Sequence, residues 1–448
     1  MSRIEARTLK GFRDYLPEAM IPKQAMLDRI ARTFERHGFS PVTTPALEYT
    51  EVLTGNIGPE DQKLLYRFQD HGDRDVALRF DLTVPFARMI AEHGELPRPF
   101  RRYQMGTVWR GESPGKGRYR EFMQCDVDIV GSESMLAEAE ILAVGCAAIE
   151  GLGVDRFQLR LGHRKLLNAL MTSLGVDSSD RVQIILRELD KLLKVGEEQV
   201  RKSLTENAGL QSDAIDRVFQ FIRLGESSSD LIGDLEGLVG DQPDGPLGIA
   251  QLAELLAFAE AAGFRDRIVV DLSIARGLDY YTGAVYETFL LDLPDLGSVM
   301  SGGRYDGLIG LFLGQSIPAV GISVGIDRLV AGLQELGLVP ERKTAARVLV
   351  VTFNAETATD ALRVATSLRA AGIPTELFPG TTKLAKQFKY ANRLGFPLVV
   401  VGGPDELAQG QVQLKDMEAG DQTNIAIADL PAEVSKRLAA MDLATGKA

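Results

Sequence analysis

Arginine residues concentrate around one predicted loop in the first third of the chain. Residues 101–120 contain six basic side chains and a single acid, Glu112. Arg110 ends a predicted strand, and Arg118 and Arg120 flank the glycine-bearing turn that follows. Guanidinium groups gathered in this way suit a polyphosphate, because each planar group can bond two oxygens. The arginines alone are equally compatible with a solvated basic hairpin.

Two further features near these arginines favour a nucleotide. Phe122 follows the turn, where its ring could stack on a base, a contact worth on the order of 1–3 kcal/mol. Residues 319–329, AVGISVGIDRL, predict a glycine-bearing strand that runs into a helix and leaves room for a flat ligand. Arg328 lies in the first turn of that helix. A surface arginine paired with Asp327 or Glu335 is the alternative interpretation.

Hydrogen-bonding side chains are dense in two other segments. Residues 275–287, ARGLDYYTGAVYE, place Arg276, Tyr280 and Tyr281 beside glycines in an apolar neighbourhood, and buried polar groups need partners. In RFDLTVPFAR, Asp81 and Thr83 are predicted on one face of an extended segment ended by Pro85. Such a pair could hold an amino group. The alternatives are tyrosines half-buried in a sheet and an aspartate that caps a helix.

The elements that must position these residues follow from hydrophobic periodicity. RYQMGTVWRG and FMQCDVDIVG predict two antiparallel strands joined as a hairpin. After Leu167 the pattern becomes helical, in DRVQIILRELDKLLKVG, EEQVRKSLTEN and AIDRVFQFIRLG, until strand signals return at Arg267. Beyond the polar linker LVPERKTA, the order strand, helix, strand, helix, strand, strand predicts a small α/β domain. The helical segment therefore interrupts one antiparallel domain.

Composition excludes several classes of protein. The 448 residues are 45% hydrophobic and 25% charged, which is typical of a folded soluble chain. No segment approaches the roughly 18 apolar residues of a membrane span, and the charged N-terminal segment is unlike a signal peptide, so we expect a cytoplasmic protein. With two cysteines and four histidines, a disulfide framework and zinc-ligand spacing are both missing from the sequence.

The net charge of −12 is unevenly distributed. Between Asp177 and Glu260 there are 17 acids and 8 bases, which accounts for most of the excess. A second basic run, by contrast, has no acid anywhere from Leu377 to Pro404. Local basic surfaces on an acidic chain are compatible with an anionic ligand, a nucleotide or RNA. The second basic run consists of Lys383, Lys386, Lys389 and Arg393.

In this order, the segments resemble the histidyl-tRNA synthetase family of class II aminoacyl-tRNA synthetases over nearly the whole chain, starting at KGFRDYLP. TPALEYTEV is similar to motif 1, which forms the dimer in this class. VWRGESPGKGRYREFMQCD is similar to motif 2, and GISVGIDRL to motif 3. ARGLDYYTGAVYE and SGGRYDGL resemble the two peptides that distinguish the histidine enzyme within the class.

The resemblance implies an α+β catalytic domain on an antiparallel sheet, formed by residues 1–168 and 265–335. Residues 169–264 would be a helical insertion domain, 336–345 a linker, and 346–448 a C-terminal α/β anticodon-binding domain. It also implies a homodimer. The implied activity is that of a histidine–tRNA ligase, which makes histidyl-adenylate and pyrophosphate from L-histidine and ATP and then transfers histidine to the 3′ end of tRNA(His). Mg²⁺ would accompany ATP without assigned ligands, and neither a membrane nor DNA is an expected partner.

The resemblance also assigns roles to single residues, with Arg110 and Arg276 as the catalytic pair. Arg110 would hold the α-phosphate and the amino-acid carboxylate, and Phe122 and Arg328 would enclose the adenine. The residues implied for histidine are Asp81, Thr83, Arg110, Gln124, Asp128, Arg276, Tyr280 and Tyr281. Those implied for ATP are Arg110, Glu112, Arg118, Phe122 and Arg328. Those expected to contact tRNA are Lys383, Lys386, Lys389 and Arg393.

Two departures and two alternatives accompany this interpretation. Asp81 stands where other members have Glu, and the turn of the hairpin is compact, with Gly115 in place of larger side chains. The first alternative is a relative of the regulatory subunit of ATP phosphoribosyltransferase, which binds histidine without charging tRNA. The second is a generic nucleotide- or RNA-binding protein. The C-terminal domain and the full arginine set favour the synthetase.

Overall fold

The computed structural model describes residues 4–55, 58–115, 117–274, 280–339 and 342–444. The chain forms two compact units, of which the first comprises Met1–Arg13 and Met26–Leu338 and the second Asp14–Ala25 and Val339–Ala448. Helix α1 (Pro17–Arg36) contributes residues to both. Arg276, one of the two predicted catalytic residues, lies outside the described residues.

The first unit combines strands with helices that lie before, between and after them. Its strands are β1 (Ser40–Pro41), β2 (Leu47–Tyr49), β3 (Arg67–Gln69), β4 (Asp75–Leu78), β5 (Phe100–Trp109), β6 (Glu121–Val130), β7 (Phe157–His163), β8 (Ile268–Val270), β9 (Ala284–Leu290), β10 (Met300–Arg304) and β11 (Ala319–Gly325). Its helices are α2 (Thr50–Thr54), α3 (Pro59–Gln62), α4 (Thr83–Glu92), α5 (Met135–Glu150), α6 (Arg164–Ser173), α7 (Ser179–Leu189), α8 (Leu192–Val195), α9 (Glu197–Ala208), α10 (Ser212–Ser227), α11 (Leu231–Val239), α12 (Gly245–Ala261), α13 (Gly310–Leu313) and α14 (Ile326–Glu335). Short 3₁₀ turns occur at Arg265–Arg267 and Pro294–Leu296.

An eight-stranded sheet dominates this unit, in the order β1-β5-β6-β11-β10-β9-β7-β8. All neighbours from β5 to β7 in this order are antiparallel, and only the edge strands β1 and β8 pair in parallel. The predicted hairpin is confirmed, because β5 and β6 pair from Phe100↔Val130 to Trp109↔Glu121. A smaller antiparallel sheet has the order β2-β4-β3.

Apolar and polar side chains alternate along β6, so one face of the strand packs in the core while the other carries polar groups. Cys125 and Val127 are fully buried in the apolar core. Residues two apart in a strand share a face, so Gln124, Asp126 and Asp128 all project to the opposite side. An interior strand of the sheet, between β5 and β11, thus carries a row of polar groups on one face.

The prediction of an extended segment from Asp81 to Pro85 is wrong, because a helix occupies its second half. Helix α4 begins at Thr83 and contains Pro85 in its first turn, where a missing N–H costs no intrahelical hydrogen bond. Asp81 Oδ1 accepts from the backbone N–H groups of Thr83 (3.1 Å) and Val84 (2.9 Å). Asp81 therefore satisfies two free donors at the helix start, which is the capping alternative.

A run of helices, α6 to α12, lies between β7 and β8, and the three helical patterns of the sequence all fall within it. DRVQIILRELDKLLKVG forms two helices, α7 and α8. Residue 168, the expected end of the first catalytic segment, lies inside α6. The helices thus occupy the chain between two strands that pair with each other in parallel.

The second unit contains a five-stranded sheet in the order β13-β12-β14-β15-β16. Its strands are β12 (Val348–Val351), β13 (Thr375–Leu377), β14 (Leu398–Val401), β15 (Gln411–Asp416) and β16 (Gln422–Ala426). Its helices are α15 (Ala358–Ala370), α16 (Leu384–Leu394), α17 (Pro404–Ala408) and α18 (Leu430–Ala444). The predicted order of elements is confirmed, with α17, β16 and α18 in addition.

Both faces of this sheet are buried, as in an α/β domain. Val348 and Val350 of β12 pack in a cluster with residues of α15 and α18. Leu349 and Val351 pack in a second cluster with Ala391 of α16. Because alternate residues of one strand enter two cores, the uninterrupted run VLVV is explained. Within the described ranges of the whole chain, no helix is long and apolar enough to cross a membrane.

Candidate active site

Two adjoining cavities open on the polar face of the large sheet, and both are lined by Arg110, Gln124, Ser301 and Ser323. We call the first, of about 260 Å³, the carboxylate cavity, and the second, of about 390 Å³, the arginine cavity. The side chains that characterise the carboxylate cavity are Asp81, Thr83, Asp126, Asp128, Tyr280, Tyr281 and Tyr305. Those that characterise the arginine cavity are Glu112, Arg118, Tyr119, Phe122, Asp327 and Arg328.

Arg110 lies where the two cavities meet. It follows the last residue of β5, and its Nε donates to the carbonyl oxygen of Phe80 at 3.0 Å. The guanidinium carbon lies 4.4 Å from the centre of the Phe80 ring and 5.3 Å from that of Phe122. This position between two rings fixes a cation that can reach ligand oxygens from either cavity.

Asp81 offers an unused carboxylate oxygen to the carboxylate cavity. The residue is 2% exposed, and while Oδ1 caps α4, Oδ2 has no hydrogen-bond partner. Burial raises the pKa of this carboxyl above its ordinary value, against the opposing effects of the helix N–H groups and Arg110. A buried acceptor without a partner is suited to a ligand ammonium group.

Asp128, expected to contact the imidazole, is already engaged by protein groups. Its Oδ1 accepts from the Tyr305 hydroxyl at 2.5 Å, and its Oδ2 lies 2.8 Å from Nη2 of Arg102 in an ion pair. Burial nevertheless raises the pKa of Asp128. Gly321 is the cross-strand neighbour of Asp128, and a Cβ there would overlap with the carboxylate. A glycine at this position leaves the space that the carboxylate occupies.

Three tyrosines form an aromatic wall of the same cavity. The ring of Tyr280 lies 5.0 Å from that of Tyr281 and 5.9 Å from that of Tyr305. Burial raises the pKa of each of these hydroxyls. They therefore remain neutral hydrogen-bonding groups at physiological pH, and their edge-to-face packing holds their orientation.

In the arginine cavity, Glu112 and Arg118 pair with each other across the turn of the hairpin. Burial opposes ionisation of Glu112, but the contact with Arg118 prevails and its pKa lies below the ordinary value. Phe122 and Arg328 line the same cavity, as expected, and Arg328 Nη1 donates to the carbonyl oxygen of Ser298 at 2.5 Å. An incoming ligand would have to compete with the Glu112–Arg118 pair.

Sequence reasoning missed Arg13, a member of the KGFRDYLP segment. Its Nη2 lies 2.9 Å from Oδ1 of Asp327, and its Nη1 donates to the Tyr119 hydroxyl at 2.6 Å. The guanidinium also lies 3.7 Å from the centre of the Tyr119 ring. Residues of the N-terminal segment, the hairpin turn and α14 are thus joined beside the arginine cavity.

Two residues of the carboxylate cavity were also missed, and each had a signal. Asp126 lies two residues from both Gln124 and Asp128, so the period of a strand places it on the same face. Tyr305 belongs to SGGRYDGL, the peptide that carried part of the resemblance but to which no single role was given. The structure brings both residues to the predicted site.

The basic run lies in the second unit, at and within helix α16. Lys383 immediately precedes the helix, and Lys386, Lys389 and Arg393 lie along it, all four exposed. No ion pair joins any of them to another described residue. Gln387 of the same helix is fully buried and donates to the carbonyl oxygens of Thr352, which follows β12, and Thr382, so the helix is fixed to the end of that strand.

Similarity to known proteins extends over nearly the whole chain. A family model described as histidyl-tRNA synthetase matches residues 11–329, and one described as anticodon binding domain matches residues 347–437. A histidine–tRNA ligase of Wolinella succinogenes is 44% identical over 96% of this chain and 98% of its own, and one of Rhodopirellula baltica is 42% identical over 94% and 96%. The crystal structure of histidyl-tRNA synthetase from Nostoc sp. PCC 7120 matches with a TM-score of 0.87 and 35% identity, covering 97% of this chain and 100% of that one.

Proposed function

Because this chain belongs to the histidyl-tRNA synthetase family, we propose that it activates L-histidine with ATP and transfers the histidyl group to the 3′ end of tRNA(His). The observation that carries the proposal is the position of Arg110 between a cavity rich in carboxylates and one lined by arginines and an aromatic ring. An amino acid and ATP must meet at their carboxylate and α-phosphate, and one fixed cation serves both anions at that point.

Histidine occupies the carboxylate cavity in this proposal. Its α-ammonium group binds Asp81, whose Oδ2 has no protein partner, with Thr83 at the start of the same helix. Its side chain extends towards Asp128 and the tyrosine pair Tyr280 and Tyr281, and its carboxylate points to Arg110. Gln124 lies between the two cavities, with its Nε2 bonded to Ser323 Oγ at 2.8 Å.

ATP occupies the arginine cavity. Phe122 and Arg328 enclose the adenine ring, because a planar guanidinium and an aromatic ring both stack on a base. Glu112 accepts from the exocyclic amine and Arg118 binds the terminal phosphates, so their mutual ion pair opens when the nucleotide enters. Arg118 is 56% exposed whereas Glu112 is 17% exposed, so the phosphates replace Glu112 as the partner of a guanidinium that is already half solvated.

The chemical step needs no covalent nucleophile from the protein. A histidine carboxylate oxygen forms a bond to the α-phosphorus while the bond to the leaving pyrophosphate breaks, which gives histidyl-adenylate. Arg110 and Arg276 bind the oxygens on which negative charge increases, and a donor aimed at such charge stabilises the transition state more than the ground state. The ribose hydroxyl at the 3′ end of tRNA then attacks the acyl carbon and AMP leaves.

Mg²⁺ belongs to the proposal as a companion of ATP. The carboxylates at the arginine cavity are Glu112, bound to Arg118, and Asp327, bound to Arg13. Groups of three or more potential ligands are absent from the described part of the chain. Mg²⁺ in nucleotide sites is held largely by phosphate oxygens and water with one or two carboxylates. These residues therefore fit an ion that arrives with ATP better than a metal site that exists before the nucleotide binds. When bound, the ion would neutralise charge on the phosphates.

We also propose the domain bounds, the oligomeric state, the tRNA-binding surface and the location of the protein. Residues 1–168 and 265–335 form the catalytic domain, 169–264 the insertion, 336–345 the linker, and 346–448 the anticodon-binding domain. A homodimer would form through the motif 1 segment TPALEYTEV, where Leu47 and Tyr49 are exposed. The C-terminal domain contacts tRNA through the basic run on α16, and the protein acts in the cytoplasm.

The test is histidine-dependent exchange of pyrophosphate into ATP, followed by charging of tRNA(His) transcripts. We expect both activities, and we expect Arg276→Ala to slow the exchange by orders of magnitude while histidine still binds. Arg156→Ala, which removes an exposed arginine paired with Asp292, is the matched control. Histidine binding without exchange in the wild-type protein would instead favour the regulatory-subunit alternative.

A further inference from the structure

Asp126 is a third carboxylate of the carboxylate cavity, and its hydrogen-bonding partners differ from those of Asp128. The residue lies on β6 between Gln124 and Asp128 and is 2% exposed. Its Oδ1 has no hydrogen-bond partner in the structure and the side chain lines the carboxylate cavity. In Asp128, Oδ1 accepts from the Tyr305 hydroxyl, and Oδ2, which also has no hydrogen-bond partner, lies in an ion pair with Arg102. Within the described residues, Asp126 Oδ1 is therefore the carboxylate oxygen of this row that has neither a hydrogen bond nor an ion pair.

The side chains around Asp126 belong to β5, β6, β11 and two connecting segments. Its cross-strand neighbours are Gln104 on β5 and Ser323 on β11, and the amide of Gln104 donates to Thr44 Oγ1 at 3.1 Å. The charged or titratable groups that face Asp126 are Arg102 on β5, Asp128 on β6, Arg79 and Asp81 in the segment between β4 and α4, and Tyr281 before β9.

Two of these neighbours are arginines that already have other partners in the protein. Arg102 is completely buried and pairs with Asp128 at 2.8 Å, while Arg79 donates to the carbonyl oxygens of Thr107 and Thr44, both at 2.8 Å. Burial, reinforced by Asp128 and Asp81 and opposed by Arg102, raises the pKa of Asp126 to about 7. This carboxyl group exchanges its proton in the range in which an imidazole ring does.

We propose that Asp126 Oδ1 binds a ring N–H of the histidine substrate and that the carboxyl group and the imidazole hold a single proton between them. The bound pair consists either of an aspartate and an imidazolium or of an aspartic acid and a neutral imidazole, with the same number of protons in both forms. The inference rests on the proposed function, within which it assigns a residue that determines specificity for the imidazole ring.

The shared proton has a measurable consequence. With ordinary imidazole pKa values near 6.5 and an Asp126 pKa of about 7, the separate partners together carry close to two protons at pH 5.5 and close to none at pH 8. Because the complex holds one, binding should release about 0.9 proton at pH 5.5 and take up about 0.9 at pH 8. Histidine affinity should accordingly be greatest between the two pKa values.

The alternative role for Asp126, binding the α-ammonium group, gives the opposite sign on the alkaline side. An ammonium ligand favours the ionised carboxylate, so binding would release the small fraction of protons that Asp126 still holds at pH 8 and would take up none. Proton uptake at pH 8 therefore distinguishes recognition of the ring from recognition of the amino group.

The experiment is titration calorimetry of L-histidine into the full-length protein, at pH 5.5 in acetate and in Mes and at pH 8 in phosphate and in Tris, two buffers of different ionisation enthalpy at each pH. The slope of the observed enthalpy against the buffer ionisation enthalpy gives the protons exchanged. Asp126→Asn should remove the uptake at pH 8 and weaken binding about tenfold or more, as expected for a lost hydrogen bond to a charged group. Asp126→Glu, which keeps the titrating group, should retain the uptake.

Glu140→Gln is the matched control, since it removes one negative charge from α5, where Glu140 pairs with Arg101 at 2.8 Å. Its proton exchange should equal that of the wild type. Thermal unfolding of each variant reports whether it is folded. If the wild type takes up no proton at pH 8, or if Asp126→Asn still takes one up, the inference is overturned. The proposed function is tested separately by pyrophosphate exchange and stands if that activity is present. Absence of histidine binding and exchange in the wild type overturns both.

Discussion

Arg13 and Asp327 form an ion pair of 2.9 Å that joins the N-terminal segment to the first turn of α14. Asp327 is 3% exposed, and its second oxygen accepts from the backbone N–H of Met123 on β6 at 2.7 Å. Phe122 precedes Met123 and Arg328 follows Asp327. A single carboxylate, held by Arg13, therefore fixes the spacing between the two side chains proposed to enclose adenine.

We predict that Arg13→Ala raises the KM for ATP about tenfold, because a hydrogen bond to a charged group is worth about 1.5–3 kcal/mol and its loss frees Asp327 to move. The KM for histidine should change little, since Arg13 does not line the carboxylate cavity. Arg13→Lys should recover part of the ATP affinity by restoring the charge. The measurement is pyrophosphate exchange at varied ATP, and an unchanged KM for ATP would exclude this positioning role.

Asp128 and Tyr281 should respond differently to substitution, although both are expected at the imidazole. Asp128→Ala leaves Arg102 buried without its carboxylate, and breaking a buried pair in this way typically costs about 3–5 kcal/mol. We therefore expect a lower Tm together with a higher KM for histidine. Tyr281→Phe keeps the ring in the aromatic wall and removes only the hydroxyl, so the KM should rise while the Tm stays close to that of the wild type.

Thermal unfolding and the KM for histidine, measured on the same preparations, distinguish the two effects. If Asp128→Ala kept the wild-type Tm, the ion pair with Arg102 would contribute nothing to stability. If Tyr281→Phe kept the wild-type KM, the hydroxyl would not contact the substrate.

Strand periodicity allowed most of the scaffold of this site to be predicted. The alternation in FMQCDVDIVG is local, so β6 and its polar face follow from the sequence alone. The same periodicity would have placed Asp126 beside Gln124 and Asp128. For the Asp81 segment the sequence left two interpretations open, an extended segment ended by Pro85 and a helix cap, and the structure shows the cap, because proline is tolerated in a first turn.

Other parts of the site have no local signal. Arg13 and Asp327 are 314 positions apart, and nothing in either segment indicates that they pair. The same holds for Arg102 and Asp128, whose ion pair depends on the register of β5 with β6. Which carboxylate oxygen is left for a ligand depends on these long-range partners. The sequence could therefore indicate the site residues but not how their oxygens are used.

His163 should make stability depend on pH. It lies at the end of β7, 1% exposed, and burial together with the nearby Lys165 lowers its pKa to about 3. The unfolded chain, with an ordinary histidine pKa near 6.5, binds a proton that the folded protein excludes. The stability is therefore fully present above pH 6.5 and is lost as the pH falls towards 3, by about 2 kcal/mol between pH 7.5 and pH 5.

His163→Gln should remove that part of the pH dependence, while His71→Gln, which changes an exposed histidine, should not. The measurement is urea unfolding at pH 7.5 and pH 5 followed by the fluorescence of Trp109, the single tryptophan, which lies in the first unit. Equal pH dependence in wild type and His163→Gln would show that the buried ring does not control acid stability.

The last prediction concerns tRNA and the basic run on α16. Lys383, Lys386 and Lys389 are exposed, and ion pairs to other described residues are absent for all three. If they contact phosphates, replacing all three with Ala should weaken tRNA binding and reduce the slope of log affinity against log salt by about 0.7–0.9 per lost contact. Histidine and ATP kinetics in pyrophosphate exchange should be unchanged, because those cavities belong to the first unit.

The second unit itself provides a control with the same change in charge. Arg363 and Arg369 on α15 and Lys436 on α18 are also exposed, but their helices pack on the opposite face of the five-stranded sheet. Their triple Ala variant also removes three positive charges, so a general electrostatic effect would weaken tRNA binding in both variants. A phosphate-binding surface on α16 predicts a loss confined to the Lys383, Lys386 and Lys389 variant. Equal salt slopes for the two variants would mean that this basic run is solvated surface and that tRNA is bound elsewhere.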